Sequence, residues 1–311
     1  MVELNGKKIL VTFLMHLGDL TLTTPFIHAL RKAAPDAHIT MLVDEKLKDV
    51  VLFNPYLDEV VTIDKKGRDN SILSLWACSR HLSKLDFDVL INLHPNERCS
   101  FIDAMTSVKL RTGTTHKIFK WFWDVFTPLD RSMHAADMYL DVLQQLGVQD
   151  LSNNGLEIFP GEEHFLEAEL FWQEQNITDQ DKLIGFNIGS AVPTKRWPPE
   201  RFAEVADIFA AKGYKTVFFG GPMDEEMVAE ATGYMQTRPI IATGHFAIGG
   251  LAAAMRRCCL IITNDSGPMH VAISQKVPIV AMYGPSNPKL YGPYTKDAVI
   301  VTAQPPCQGC A

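Results

Sequence analysis

Short runs of apolar and β-branched residues recur in the first half of the chain at residues 8–14, 38–43, 59–63 and 89–92. Each is followed by a stretch with apolar residues at helical spacing. Such runs read as buried strands, and their alternation with helices predicts parallel sheets wrapped by helices, an α/β fold. The first helix is well marked: Thr24 is placed to cap it, Pro25 sits at the favoured first helical position, and Phe26, Ile27 and Leu30 share one side before Ala33-Ala34-Pro35 ends it. A longer helix over 135–146 ends at Gly147.

The rhythm restarts in the second half, with strands over 183–187, 215–219, 260–263 and 279–282 and helices over 199–212, over 224–236 and from Pro268. Between the halves, residues 149–155 are polar and turn-rich, as a linker is. The expected domains are therefore 1–150 and 151–311, each a doubly wound, Rossmann-like sheet. Ligands of such sheets collect at the carboxyl ends of the strands, so the loops after the strands carry the candidate chemistry.

Composition narrows the function classes. At 311 residues and 34.7 kDa, with 47% hydrophobic and 21% charged residues, the chain can fill two cores. The formal net charge of −7 disfavours a broad nucleic-acid footprint, so no nucleic-acid partner is expected and any anionic ligand must be met locally. No apolar run approaches the roughly 18–20 residues that span a bilayer. No small-residue cleavage site follows an apolar segment at the start, so the expected location is cytoplasmic. Six cysteines are sparse for this length and read as reduced thiols.

The loop after the first strand, Met15-His16-Leu17-Gly18-Asp19-Leu20, has one glycine where a dinucleotide fingerprint wants three, so a Rossmann dehydrogenase is disfavoured. Asp19 there reads either as a helix cap or as a general base that accepts a proton from a hydroxyl. In the second half, 188–198 is a small-residue turn with Ser190, ending in Lys195-Arg196; it suits a diphosphate, or is a solvated basic pair beside a packed Trp197. After the next strand, Gly220-Gly221-Pro222-Met223-Asp224-Glu225-Glu226 puts acids at a helix start, where they are ordinary dipole partners or one of them holds a ribose diol. The segment Asn264-Asp265-Ser266-Gly267-Pro268-Met269-His270 runs from a strand through a Ser-Gly turn into a helix opened by proline, which presents bare N–H groups to an anion, or else uses Asp265 as a cap and His270 to pack the helix. Three such loops on one sheet edge favour a nucleotide-diphosphate pocket. In the first half, His94-Pro95-Asn96-Glu97-Arg98 follows a strand and reads as an acceptor rim or as a polar turn with a cap.

Two motifs are decoys. Asp86-Phe87-Asp88 matches a metal-holding DxD triplet but precedes a strand, at the wrong edge, and Cys307-Gln308-Gly309-Cys310 has metal spacing without a second pair. Residues 117–126, with Arg131 and His134 nearby, mix cations with large aromatics. That mixture suits a membrane surface or anionic lipid as well as a buried helix with two exposed lysines.

Together, His16-Leu17-Gly18-Asp19, Lys195-Arg196-Trp197-Pro198, Gly220-Gly221-Pro222, the 264–270 segment and Tyr283-Gly284-Pro285 resemble glycosyltransferase family 9, the lipopolysaccharide heptosyltransferases. The resemblance spans nearly the whole chain in order. It implies a GT-B architecture, two Rossmann-like domains facing across a cleft, with acceptor on the first and sugar nucleotide on the second. It also implies inverting, metal-independent heptose transfer from ADP-L-glycero-β-D-manno-heptose to the lipopolysaccharide inner core, with no cofactor and peripheral contact at the cytoplasmic face of the inner membrane. Position by position, Asp19 matches the catalytic base and Lys195 the lysine on the donor diphosphate. Ser190, Asp224, Asp265, Ser266, Gly267, Pro268, Met269 and His270 match donor-binding positions, while Gly18, His94, Asn96 and Arg98 are the expected acceptor contacts. The rival readings are a UDP-sugar 2-epimerase on the same scaffold and a catalytically silent nucleotide-binding relative.

Overall fold

The computed structural model describes residues 2–302, and the chain divides into two α/β units between Asn154 and Gly155. The first contains β1 (Lys8–Thr12), α1 (Leu17–Thr21), α2 (Thr24–Ala33), β2 (His38–Asp44), β3 (Glu59–Ile63), α3 (Ile72–Ser83), β4 (Val89–Asn92), α4 (Glu97–Met105), β5 (Leu110–Gly113), β6 (Val125–Phe126) and α5 (Ala135–Gln145). Its six strands are all parallel, in the order β3-β2-β1-β4-β5-β6.

The second unit contains α6 (Glu162–Glu174), β7 (Leu183–Asn187), α7 (Pro199–Ala211), β8 (Lys215–Phe219), α8 (Glu225–Tyr234), β9 (Ile240–Ile241), α9 (Ile248–Met255), β10 (Cys258–Asn264), α10 (Gly267–Ser274), β11 (Ile279–Tyr283), α11 (Pro288–Tyr291) and β12 (Ala298–Thr302). Its parallel order, β9-β8-β7-β10-β11-β12, repeats the first. Each is the doubly wound Rossmann order, which reverses direction once, between β1 and β4 and again between β7 and β10. At these two points neighbouring crossovers leave to opposite faces of the sheet, and a crevice opens above the strand ends.

The sheets form because their central strands are covered on both faces, while the edge strands β3 and β12 stay partly exposed. Ile9, Leu10, Val11 and Thr12 of β1 are all fully buried, as are the apolar residues of β4 and β7. In the first unit Leu10, Leu42 and Leu90 pack against Leu75 and Leu82 of α3 and Cys99 and Ile102 of α4. In the second, Ile184, Phe186, Phe218 and Ile262 meet Phe202 and Ala206 of α7 and Val228 and Ala231 of α8, with Phe186 stacked on Phe218 at 5.2 Å. Each such leucine or phenylalanine contributes about 1.5–3 kcal/mol on burial. Replacing Phe186, at the centre of this stack, by alanine would open a cavity no neighbour fills.

Local departures from expectation have simple causes. The first strand stops pairing at Thr12, although Phe13 and Leu14 beyond it stay buried. The loop that follows coils into the single turn of α1, and Thr23 rather than Thr24 is the N-cap residue of α2. Neither threonine caps through its side chain: Thr23 Oγ1 donates to the Leu20 carbonyl and Thr24 Oγ1 to that of Thr21, tying α2 to α1. Asp88 lies at the amino-terminal edge of its sheet, accepting from the Lys8 amide at 2.9 Å and pairing with Lys109 at 2.6 Å, so the DxD triplet is structural. Cys307 and Cys310 lie outside the described residues. Among the described residues no helix is long and apolar enough to cross a membrane.

Candidate functional site

At the second unit's switch point the loops after β7 and β10 are stitched together by buried amides. Asn187 and Thr263, the paired last residues of the two strands' register, are joined by a bond from Asn187 Nδ2 to Thr263 Oγ1 at 3.1 Å. The same amide donates to Ser266 Oγ at 2.9 Å. Asn264 Nδ2 donates to the Ile188 carbonyl at 2.7 Å, and its Oδ1 accepts from the Trp197 amide at 2.9 Å. One asparagine thus holds both ends of the small-residue turn. The stitching role of Asn187 and of Asn264, which opens the 264–270 segment, is not written in any local pattern, because it depends on the register between strands 76 residues apart.

These stitches bring the sequence-predicted donor residues together. Lys195 Nζ pairs with Asp265 Oδ2 at 2.8 Å; the lysine side chain is 24% exposed and the aspartate 6%. A pair this enclosed is screened less than a surface ion pair, and removing the lysine would leave a nearly buried carboxylate without its counter-charge. Ser190 is buried, with Oγ 3.4 Å from both the Asp265 carbonyl and the Val192 amide, and Arg196 Nε donates to the Ser190 carbonyl at 2.8 Å. Ser266 is the N-cap residue of α10 and Gly267 its first residue, so both sit at the positive end of that helix. A cavity of about 360 Å³ opens beside Lys195, bounded by Trp197, Tyr283 and Gly284.

Asp224 comes to the same corner. Its Oδ2 accepts from the Gly221 amide at 2.9 Å, and its carboxylate fills the space that a β-carbon would occupy at Gly189 and Gly220. A side chain at Gly189, on the neighbouring loop, would displace this carboxylate. Met269 and His270 face the interior of the second unit.

The first unit repeats the arrangement at its own switch point. Asp19 stands in the first turn of α1, half-buried, and His16 rather than Asp19 is the N-cap residue. As the acid of that first turn, Asp19 suits the positive end of the helix dipole, so the helix-terminus reading stands beside the general-base one. After β4, Asn96 caps α4 by accepting from the Cys99 amide at 2.9 Å, and its Nδ2 reaches the Leu14 carbonyl at 3.3 Å. Arg98 Nη2 donates to Asn70 Oδ1 at 2.8 Å and Nη1 to the Lys65 carbonyl. Burial holds the His94 imidazole neutral down to about pH 4, with Arg131 and His16 adding to the effect, and its ring packs edge-on against Phe13. Gly18 precedes Asp19 in the same turn.

A model of glycosyltransferase family 9 (heptosyltransferase) matches residues 75–311. The chain belongs to this family. Family members among curated proteins include lipopolysaccharide heptosyltransferase 3 of Escherichia coli K12, 24% identical over 91% of this chain and 84% of that protein. A crystal structure of a family 9 glycosyl transferase from Veillonella parvula superposes with a TM-score of 0.96 at 57% identity, over 98% of this chain and 89% of that one. The E. coli heptosyltransferase WaaC solved with ADP shares the fold at a TM-score of 0.76 and 18% identity, over 97% and 94% of the two chains. The chain is thus a glycosyltransferase built from two Rossmann-like α/β units, the GT-B fold class that the sequence implied.

Proposed function

We propose that this family 9 enzyme transfers heptose from ADP-L-glycero-β-D-manno-heptose to the inner core of lipopolysaccharide, inverting the anomeric centre without a metal ion. The observation that carries the donor half is the Lys195–Asp265 pair at the mouth of the β7 and β10 loops, beside Ser190 and the N-terminus of α10. A diphosphate there gains the lysine charge, a hydroxyl and helix-terminal N–H groups. Asp224, in the same corner, supplies the acid for the ribose in this reading. The acceptor half draws on Asp19, Gly18, His94, Asn96 and Arg98 around the other switch point.

The step is a single displacement. The acceptor hydroxyl oxygen bonds to the anomeric carbon as the bond from that carbon to the β-phosphate oxygen breaks, and the leaving electron pair stays on ADP. Asp19 takes the hydroxyl proton. Lys195 and the amides of Ser266 and Gly267 meet the charge that grows on the departing phosphate, which supplies the stabilisation a metal gives elsewhere.

A contact with the cytoplasmic face of the inner membrane belongs to the same reading. None of the residues in the 3₁₀ turn Lys117–Phe122 is buried, so this is not an ordinary core helix, and Trp121 is 93% exposed. Ile118, and Ile72 and Leu73 at the start of α3, are exposed as well. Exposed aromatic and aliphatic side chains beside Lys117 and Lys120 suit an anionic lipid interface.

Thermal unfolding with ADP and UDP offered separately tests the donor. Ligand at about 100-fold its Kd adds about 2.7 kcal/mol to the native state. Stabilisation by ADP alone agrees with the proposal, and by UDP alone turns the reading to a UDP-sugar 2-epimerase. Asp19→Asn is expected to keep ADP stabilisation and lose about 10²–10⁴-fold in turnover. Binding of ADP with no turnover in the wild type would instead mark a silent relative.

A further inference from the structure

The backbone leading to Asp19 leaves its sheet early. β1 stops pairing at Thr12, the Phe13 amide is met by the Leu42 carbonyl, and the carbonyls of Leu14 and Met15 then have no strand beside them. Buried carbonyls need donors. Lys65, two residues beyond the end of β3, supplies them: its Nζ donates to the Leu14 carbonyl at 2.9 Å and to that of Met15 at 2.7 Å. The third direction is taken by Asp44, whose Oδ2 lies 3.1 Å from Nζ, with side-chain exposures of 12% for the lysine and 6% for the aspartate. An ammonium has three hydrogens, so these contacts use its donor capacity and leave none for a ligand.

Neighbouring loops reinforce the clasp. Asn96 Nδ2 is 3.3 Å from the same Leu14 carbonyl, and Arg98 Nη1 donates to the carbonyl of Lys65 itself. Lys65 after β3 and Asn96 after β4 thus converge on two carbonyls that lead directly into His16 and α1, and Asp44 at the end of β2 and Arg98 hold Lys65 in turn. The convergence crosses about 50 residues of sequence from Leu14 to Lys65, so no local pattern encodes it.

We propose that Lys65 is a positioning residue for the Asp19 loop, clasping Leu14 and Met15 so that α1 presents the Asp19 carboxylate at a set place. The catalytic part of this rests on the reading of Asp19 as the base. Without Lys65 the Leu14 carbonyl keeps only the longer bond from Asn96, the Met15 carbonyl seeks another donor, and the first turn of α1 moves with them. A displacement of about 1 Å at a reacting group costs on the order of 10²-fold in rate.

Lys65→Met alone would strand the Asp44 carboxylate in the interior and confound folding with positioning, so the decisive protein is Asp44→Asn/Lys65→Met. The double variant removes both charges, and its urea midpoint is expected to fall by less than that of Lys65→Met, because only the carbonyl bonds are lost and no carboxylate is stranded. Its kcat for heptose transfer to deacylated lipopolysaccharide core, read as ADP release, is expected to fall at least about tenfold with the KM for ADP-heptose unchanged. Lys65→Arg, which keeps donors for the carbonyls, is expected to retain most of the turnover. Hydrogen exchange of the apo protein supplies a readout free of catalysis: amides of residues 17–22 are expected to exchange faster in the double variant and as in wild type in Lys65→Arg.

A double variant with wild-type kcat overturns the positioning role and leaves a plain buried ion pair. Unchanged exchange of residues 17–22 overturns the clasp itself, whatever Asp19 does. A selective rise in acceptor KM would instead make Lys65 a direct ligand and also overturn the proposal. Full turnover in Asp19→Asn, with faster exchange in the double variant, would remove the base assignment while leaving the clasp in place.

Discussion

Asp103 gives the sharpest physical prediction. It lies on α4, fully buried, with Oδ2 accepting from Thr12 Oγ1 at 2.8 Å beneath the last paired residue of β1. Burial pushes its carboxyl up to about 8, against the Thr12 hydroxyl and the Arg111 charge, which favour the ionised form. An unfolded aspartate titrates near about 3.9. Between these values the folded protein holds a proton that the unfolded chain has lost, so stability falls as pH rises and the fall ends once pH passes the folded value. The slope from this one group is about 1.4 kcal/mol per pH unit, or close to 3 kcal/mol between about pH 5 and pH 7.

Asp103→Asn keeps the size and an oxygen for Thr12 but cannot ionise. Urea unfolding of wild type and variant at a series of pH values then isolates the group, because every other titration cancels in the difference. The difference is expected to move in the variant's favour by about 2–3 kcal/mol over those two units. Parallel curves would refute the argument and mean that Asp103 ionises in the fold, with Arg111 outweighing burial.

Three further outcomes follow from the structure. Gly113 closes β5 at φ +89°, where an added β-carbon would lie 2.2 Å from the Asn92 carbonyl oxygen, so Gly113→Ala is expected to cost about 2 kcal/mol or more in urea unfolding. Lys195→Met is expected to weaken ADP about 10–100-fold in calorimetry, the worth of one charge-assisted bond, and unchanged affinity would remove Lys195 from the donor site. Trp121→Ser is expected to reduce flotation with anionic vesicles while leaving the melting temperature unchanged. The neighbouring Trp123 is buried with Nε1 on the Thr112 carbonyl at 3.0 Å, so its replacement would lower stability instead.

Much of the molecule was legible in the chain because its signals are local. Apolar and β-branched runs mark β3, β4, β7 and β8 residue by residue, although β3 lies at the sheet edge and is largely half-exposed, and the Ser-Gly-Pro turn at 266–268 marks the start of α10. β6 and β9 are two residues each and too short to carry a period, and α9 is small and apolar on every side because it is buried almost throughout. These elements exist because the sheet edge and the interior receive them, which no window of sequence expresses.

The same division runs through the sites. Residue type and position after strands point to Asp19 and Lys195, while Ser190, Asp224 and Asp265 stand out through the family resemblance. What tertiary structure alone decided is which atoms meet: that Lys195 faces Asp265, that Asn187 and Asn264 stitch the donor loops, and that Lys65 and Asp44 clasp the loop before Asp19. It also separated Trp121 from Trp123, neighbours in sequence with opposite exposures. Hydrophobic period and turn preference are properties of a few adjacent residues, whereas register, hydrogen-bond partner and burial belong to segments brought together from distant parts of the chain.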